Sequence, residues 1–139
     1  MSALRLLGPT AAALALAACS TGSPDPRLPE LRREADRLVP ASSEVVETEE
    51  GACVQMEGNP PCVRIYLAGD LPEERRADEL VRTAEAAGWE VVLREPAGGG
   101  TAIELERDGY RAFAAVWSVA CPEGRVEPAC ADEIQVLED

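Results

Sequence analysis

The spacing of apolar residues along the chain predicts two helices embedded in a series of strands. In residues 29–39 the apolar side chains recur at helical spacing, charged residues fill the positions between them, and a proline follows. A second amphipathic stretch, residues 70–88, begins with Asp70 and Glu73 at the spacing of a capping box and stops at Gly88. The predicted buried positions are Leu31, Ala35, Leu38 and Val39 in the first helix, and Ala77, Leu80, Val81, Ala84 and Ala87 in the second.

Most of the remaining segments are apolar or alternate between apolar and polar residues, as β-strands do. We predict strands at residues 44–48, 52–56, 63–68, 90–95, 101–107, 110–119 and 134–137. Turns rich in proline and glycine separate them, and Asp108-Gly109 is a two-residue hairpin signal. This order indicates an α+β domain: an antiparallel sheet of about five or six strands, with two helices packed on one face.

The predicted strand at residues 110–119 is apolar on both faces, and such a strand must be covered on both. We expect the first helix or a disulfide loop to cover the face that carries Phe113 and Trp117, which would make Trp117 a core residue. Otherwise these two aromatic residues belong to a partner or ligand surface. Alternation places Tyr110, Ala112, Ala114 and Val116 on one face, and Phe113, Ala115, Trp117 and Val119 on the other.

Residues 1–18 have the composition of a secretion signal. Arg5 precedes an uncharged segment that is too short to span a bilayer, which takes about 20 apolar residues. The segment ends in LAAC at residues 16–19, which resembles the lipobox of bacterial lipoproteins. This resemblance implies signal peptidase cleavage between Ala18 and Cys19. It also implies a diacylglycerol on the Cys19 thiol, so the lipid would hold the chain on a membrane.

The next residues favour a tether followed by a single domain. Residues 20–27 (STGSPDPR) are small, polar and proline-containing, as flexible linkers are. We therefore expect a signal peptide at 1–18, a lipidated cysteine with its tether at 19–27, and one domain at 28–139. With its arginine-only cations and the segment AAGWEVV, the chain resembles small, cysteine-paired lipoproteins of high-GC Gram-positive (actinobacterial) bacteria. The resemblance implies an extracytoplasmic position on the cell membrane, and it implies no particular activity.

The cysteines fit this interpretation. Five cysteines are an odd number for an exported protein, and lipidation of Cys19 would leave an even number for disulfides. The others form two pairs with the same C-x8-C spacing, and each pair brackets turn residues. Three pairings are possible, and the simplest consists of two local disulfides. These predicted bridges are Cys53–Cys62 and Cys121–Cys130.

The composition of the chain excludes most of the common catalytic mechanisms. The chain has 26 acidic residues and 13 basic residues, all of them arginine, and its net charge is −13. Without histidine, Ser-His-Asp and Cys-His catalysis and histidine-ligated zinc are excluded. Without lysine, Schiff-base chemistry is excluded as well. We expect no cofactor and no metal. We also expect no nucleic-acid partner, because an acidic surface repels phosphate.

The favoured function is a non-catalytic binding or accessory module of the cell envelope, with a basic protein or an envelope component as its partner. One alternative is an inhibitor of a cationic envelope enzyme such as a lysozyme. A second is a hydrolase that uses only carboxylates, which needs two acids in a cleft. Glu47, Glu49 and Glu50 could also hold calcium in a turn, although their spacing matches no EF-hand loop.

Overall fold

A computed structural model of the protein describes residues 25–54, 56–118 and 130–139. Within these residues the strands form one antiparallel sheet, in the order β1-β2-β6-β5-β4-β3. The α+β class, the two helices and an antiparallel sheet of six strands are therefore confirmed. The elements are α1 (Leu28–Asp36), β1 (Glu44–Ala52), β2 (Pro61–Ala68), α2 (Glu73–Ala86), β3 (Glu90–Ala97), β4 (Gly100–Arg107), β5 (Tyr110–Trp117) and β6 (Asp132–Glu138).

The main hydrophobic core lies between the two helices and one face of the sheet. α1 packs on β2 and β6, and α2 packs on β3, β4 and β5. Every apolar helix position predicted from the sequence lies in this core or packs against it. The sheet contributes Val63, Ile65, Leu67, Ile103, Leu105, Ala112, Ala114, Val116, Ile134 and Val136, and the opposite side contributes Leu31, Ala35, Leu38, Ala77, Leu80, Ala84 and Trp89.

The end of α2 follows the sequence prediction. Gly88 has a φ of +89°, a conformation that residues with a side chain rarely adopt. The N–H groups of Gly88 and Trp89 donate to the carbonyl oxygens of Glu85 (3.0 Å) and Ala84 (2.9 Å), which is the Schellman arrangement. The Trp89 side chain then enters the core that contains Ala84.

The capping box predicted at the start of α2 is wrong. The helix begins at Glu73, its N-cap residue is Pro72, and no side chain caps it. Asp70 lies before the helix. The Glu73 carboxylate instead accepts a hydrogen bond from the Thr101 hydroxyl at 2.9 Å, which links the helix to β4. Acidic residues in the first turn favour the helix through its dipole.

The hairpin turns that join β3, β4 and β5 follow local sequence signals. Asp108 and Gly109 both have positive φ, as the predicted two-residue turn requires. Gly98 and Gly99 also have positive φ, so the preceding turn is two residues long and shorter than predicted. β6 begins two residues earlier than predicted, at Asp132.

β1 is one continuous strand where the sequence predicted two strands separated by an acidic turn. Glu49 pairs with Arg64 of β2, and Gly51 pairs with Cys62, so the pairing runs through the predicted turn. The predicted strand at residues 52–56 is wrong beyond Ala52, because the described residues there belong to the hairpin loop. Charged residues are tolerated in β1 because it is an exposed edge strand.

The predicted disulfide Cys53–Cys62 is confirmed, with the two Cα atoms 5.3 Å apart. It closes the loop between β1 and β2. Both cysteines are buried, and with Leu137 they form a second, smaller core. Met56 and Phe113 pack against this core.

Several predicted features lie outside the described residues. They include the signal peptide, Cys19 with most of its tether, and the segment that contains Val119 and Cys121. Lipidation of Cys19 and the bridge Cys121–Cys130 therefore stay predictions. In the described part of the chain, no helix is long and apolar enough to cross a membrane.

Candidate binding surface

Both helices pack on one face of the sheet, and two of the three aromatic residues of β5 lie on the other face. The third, Tyr110, packs against the main core. Alternation places Ala112, Ala114 and Val116 in the core and turns Phe113 and Trp117 away from it, as predicted. Both aromatic side chains are half-buried. The expectation that the first helix covers this face is wrong, because α1 and α2 share the opposite face. The small core of the Cys53–Cys62 loop does pack against Phe113, as the alternative with a disulfide loop expected. Whether the second disulfide loop covers Trp117 stays a prediction, because most of that loop lies outside the described residues.

Strand pairing arranges this helix-free face in rows that run from β1 to β3. Three of these rows together hold seven glutamates and two arginines, so the face is strongly acidic. Trp117 pairs with Gly100 beyond the first row. The first row is Glu47, Tyr66, Glu133, Ala115, Ala102 and Glu95; the second is Glu49, Arg64, Gln135, Phe113, Glu104 and Leu93; the third is Gly51, Cys62, Leu137, Arg111, Glu106 and Glu90.

Arg64 organises the half of this face next to β1. Its Nε lies 2.9 Å from a Glu133 oxygen, an ion pair without hydrogen-bond geometry, and its Nη1 lies 3.6 Å from Glu49. Its Nη2 donates to the Gln135 side-chain oxygen at 3.1 Å. Burial raises the pKa of Glu133, an effect that Arg64 opposes and Glu49 reinforces. Burial also raises the pKa of Tyr66.

Arg111 organises the centre of the face. Its guanidinium carbon lies 6.0 Å from the centre of the Phe113 ring, at the outer limit of a cation–π contact. Its Nη2 lies 3.2 Å from Asp139, and longer contacts of 3.9 Å reach Glu104 and Glu106. These groups are partly exposed, so each pair adds little stability. The carboxylates outnumber the arginines, and the surface around Phe113 therefore stays acidic.

A buried ion pair holds the backbone of Trp117. Arg76 Nη1 donates to both oxygens of Asp132, at 2.5 and 2.6 Å, and the two side chains are only 10% and 7% exposed. Arg76 Nη2 donates to the Trp117 carbonyl at 2.7 Å, and Asp132 accepts from the Trp117 N–H at 3.1 Å. The third guanidinium nitrogen, Arg76 Nε, donates to the Leu71 carbonyl oxygen at 2.7 Å.

This buried network was not predicted from the sequence. Its partners are 56 positions apart in the chain, and Arg76 reads as one of several charged residues on an amphipathic helix. The only signal was the position of Asp132 next to a predicted strand, which does not identify its partner. The network fixes the end of β5 and thereby the position of Trp117 on the helix-free face.

The carboxylates considered for calcium do not converge. Glu47 and Glu49 lie on the helix-free face, whereas Glu50 points to the helix side and pairs with Arg32 at 3.1 Å. Among the described residues, no group of three or more acidic or cysteine side chains is placed to hold a metal ion.

A groove of about 660 Å³ lies between the start of α1 and the hairpin loop. It contains two acids, and each has an arginine partner. Asp25 pairs with Arg27 at 3.0 Å, and Glu50 pairs with Arg32. Hydrogen bonds from Arg27 lower the pKa of Asp25. The residues that line the groove are Asp25, Arg27, Leu28, Glu50, Gly51, Ala52, Gly58, Asn59, Pro60 and Pro61.

The helix-free face is therefore an acidic surface that carries aromatic residues. The acids of the groove, in contrast, are already paired with arginines. No family model, curated protein or solved structure matches the chain.

Proposed function

We propose that the chain is an extracytoplasmic lipoprotein, anchored to the cell membrane by lipid on Cys19, whose domain is a non-catalytic binding module of the envelope. The observation that carries the proposal is the lipobox-like motif that ends at Cys19, a short distance before α1 starts at Leu28. The Cys53–Cys62 disulfide supports it, because disulfides persist mainly in oxidising compartments outside the cytoplasm. Lipidation of Cys19 also explains the odd fifth cysteine.

The helix-free face supports a binding role for the domain. Phe113 and Trp117 are partly accessible there, and aromatic residues are enriched in protein interfaces. The surrounding glutamates attract a positively charged partner and steer its approach. A basic protein or a basic envelope component fits this chemistry better than nucleic acid or an anionic lipid surface does.

The two alternatives differ in what they require. An inhibitor of a cationic enzyme such as a lysozyme would use the same acidic face, so it is a special case of the binding proposal. A carboxylate-only hydrolase needs a general acid whose pKa is raised, next to a second acid in a cleft. In the groove beside α1 the pKa of Asp25 is lowered, which is the opposite of what a general acid needs. The acid whose pKa is raised, Glu133, does not line this groove; it lies on the sheet face and is paired with Arg64. The binding module is therefore the favoured proposal.

Cys19→Ala is the experiment that tests the anchor. We expect the variant to lose metabolic labelling by a fatty acid and to leave the membrane fraction or remain unprocessed, because the thiol is the attachment point. Ser20→Ala is the matched control, since it changes the neighbouring residue and keeps the thiol. Labelling of Cys19→Ala at the wild-type level would refute the proposed anchor.

We also propose the second local disulfide, Cys121–Cys130. Trypsin cleaves after arginine, so both cysteines of the confirmed bridge fall in the fragment 38–64. Cys121 falls in fragment 112–125, and Cys130 falls in fragment 126–139. Without reduction, mass spectrometry should recover the last two fragments joined to each other. A species that joins either of them to 38–64 would show that the proposed pairing is wrong.

A further inference from the structure

β1 is an edge strand with an accessible outer side. It is nine residues long, and eight of the nine are exposed. Among the described residues β1 pairs only with β2, so its outer backbone N–H and C=O groups face no other strand. Val45 and Val46 expose 44% and 41% of their surface. Such an edge can accept an added strand from another chain.

The charges of β1 determine which chain can pair with it. β1 contains four glutamates and no basic residue, namely Glu44, Glu47, Glu49 and Glu50. The last two have arginine partners, whereas Glu44 and Glu47 form no ion pair with any described residue. Pairing with β1 of a second copy would bring like charges together across the strands, which is unfavourable. A basic strand would bring opposite charges together instead.

The other edge of the sheet is less suited to the same role. β3 contains Pro96, which has no N–H group to donate to an added strand. Its charges are mixed, because Arg94 lies between two glutamates and pairs with Asp78 of α2 at 2.8 Å. β1 has no proline and a single sign of charge.

We propose that β1 binds a basic, extended segment of a partner protein by strand addition. Alternate side chains of an added strand face opposite sides of the sheet. Basic residues would lie beside Glu47 and Glu49 on the helix-free face. The other residues of the added strand would lie beside Val45, Thr48 and Glu50 on the helix side, where Glu50 is already paired with Arg32, so uncharged residues fit there. The segment therefore alternates basic residues with uncharged β-branched residues such as valine, in phase with β1 after its register shift between Val45 and Glu47. This inference rests on the proposed binding role and gives the partner its chemical class.

The test uses the full chain in detergent micelles and a fluorescent nine-residue peptide, matched to the length of β1, in which lysine and valine alternate. We expect saturable binding that weakens with salt, and slower amide hydrogen exchange in β1 than in the free protein, with β3 unchanged. A peptide of the same composition, with its lysines in one block, controls for net charge. It should bind at least about fivefold more weakly.

Two variants separate strand addition from general attraction to an acidic surface. Glu47 and Glu95 are both exposed, form no ion pair with any described residue, and end the same row at opposite edges of the sheet. We expect Glu47→Lys to weaken binding of the alternating peptide about tenfold and Glu95→Lys to change it less than about twofold. Equal losses in the two variants, equal binding of the two peptides, or protection outside β1 would overturn the inference. Absence of peptide binding would overturn it too. The anchor would be unaffected, because lipid labelling at Cys19 measures it separately.

Discussion

Asp132→Ala is expected to destabilise the domain by about 3–5 kcal/mol, because it leaves the buried guanidinium of Arg76 without its carboxylate. Both side chains are at least nine-tenths buried, and Asp132 also accepts a hydrogen bond from the Trp117 backbone. A loss of this size is a large part of the stability of a small domain, which is about 5–15 kcal/mol. Urea unfolding of the oxidised chain, followed by circular dichroism, measures it.

Arg82→Ala is the matched control, because Arg82 lies on the same helix as Arg76. Arg82 pairs with Glu79 at 3.0 Å, but its side chain is 72% exposed, so its loss should barely move the unfolding midpoint. The double variant Arg76→Met with Asp132→Leu should recover much of the stability lost in Asp132→Ala, because it buries no unpaired charge. Similar midpoints for Asp132→Ala and Arg82→Ala would contradict the structural role of the buried pair.

The two tryptophans of the chain are expected to respond differently to alanine substitution. Trp89 is 3% exposed and lies in the main core, so Trp89→Ala should cost about 3–5 kcal/mol. Trp117 is half-buried on the helix-free face, so Trp117→Ala should cost less than about 2 kcal/mol. Thermal unfolding of both variants, followed by circular dichroism, compares them directly.

The same two variants, Trp89→Ala and Trp117→Ala, also test whether the helix-free face binds a partner. If the helix-free face is the partner surface, Trp117→Ala retains the fold and weakens association with the partner. A loss of stability in Trp117→Ala as large as that in Trp89→Ala would show that Trp117 acts as a core residue. In that case the aromatic part of the face would not be a binding surface.

Local sequence signals predicted much of the fold because they act within a few residues. The apolar stripe of α2 ends at Gly88, where only a residue free to adopt positive φ closes the helix well. Asp108-Gly109 likewise sets a tight hairpin. The Cys53–Cys62 bridge follows from two cysteines that flank a single turn. The alternation along β5 correctly separated Val116 from Trp117.

Interactions between distant segments could not be predicted in the same way. Residues Glu49 to Gly51 look like a turn in isolation, and they become part of β1 because β2 supplies partners such as Arg64. The Arg76–Asp132 pair joins residues 56 positions apart. The sequence also did not show which face of β5 the helices would cover. The helix-free face, and with it the accessible edge of β1, became apparent only from the assembled sheet.

The intact mass of the chain isolated from its own membrane tests the proposed anchor most directly. The expected mass is that of residues 19–139 with a diacylglycerol on Cys19, less the hydrogens lost on forming two disulfides. Fragmentation should place the lipid on the first residue. A chain that begins after Cys19, that retains residues 1–18, or that begins at Cys19 without lipid would contradict the proposal that this protein is a lipoprotein.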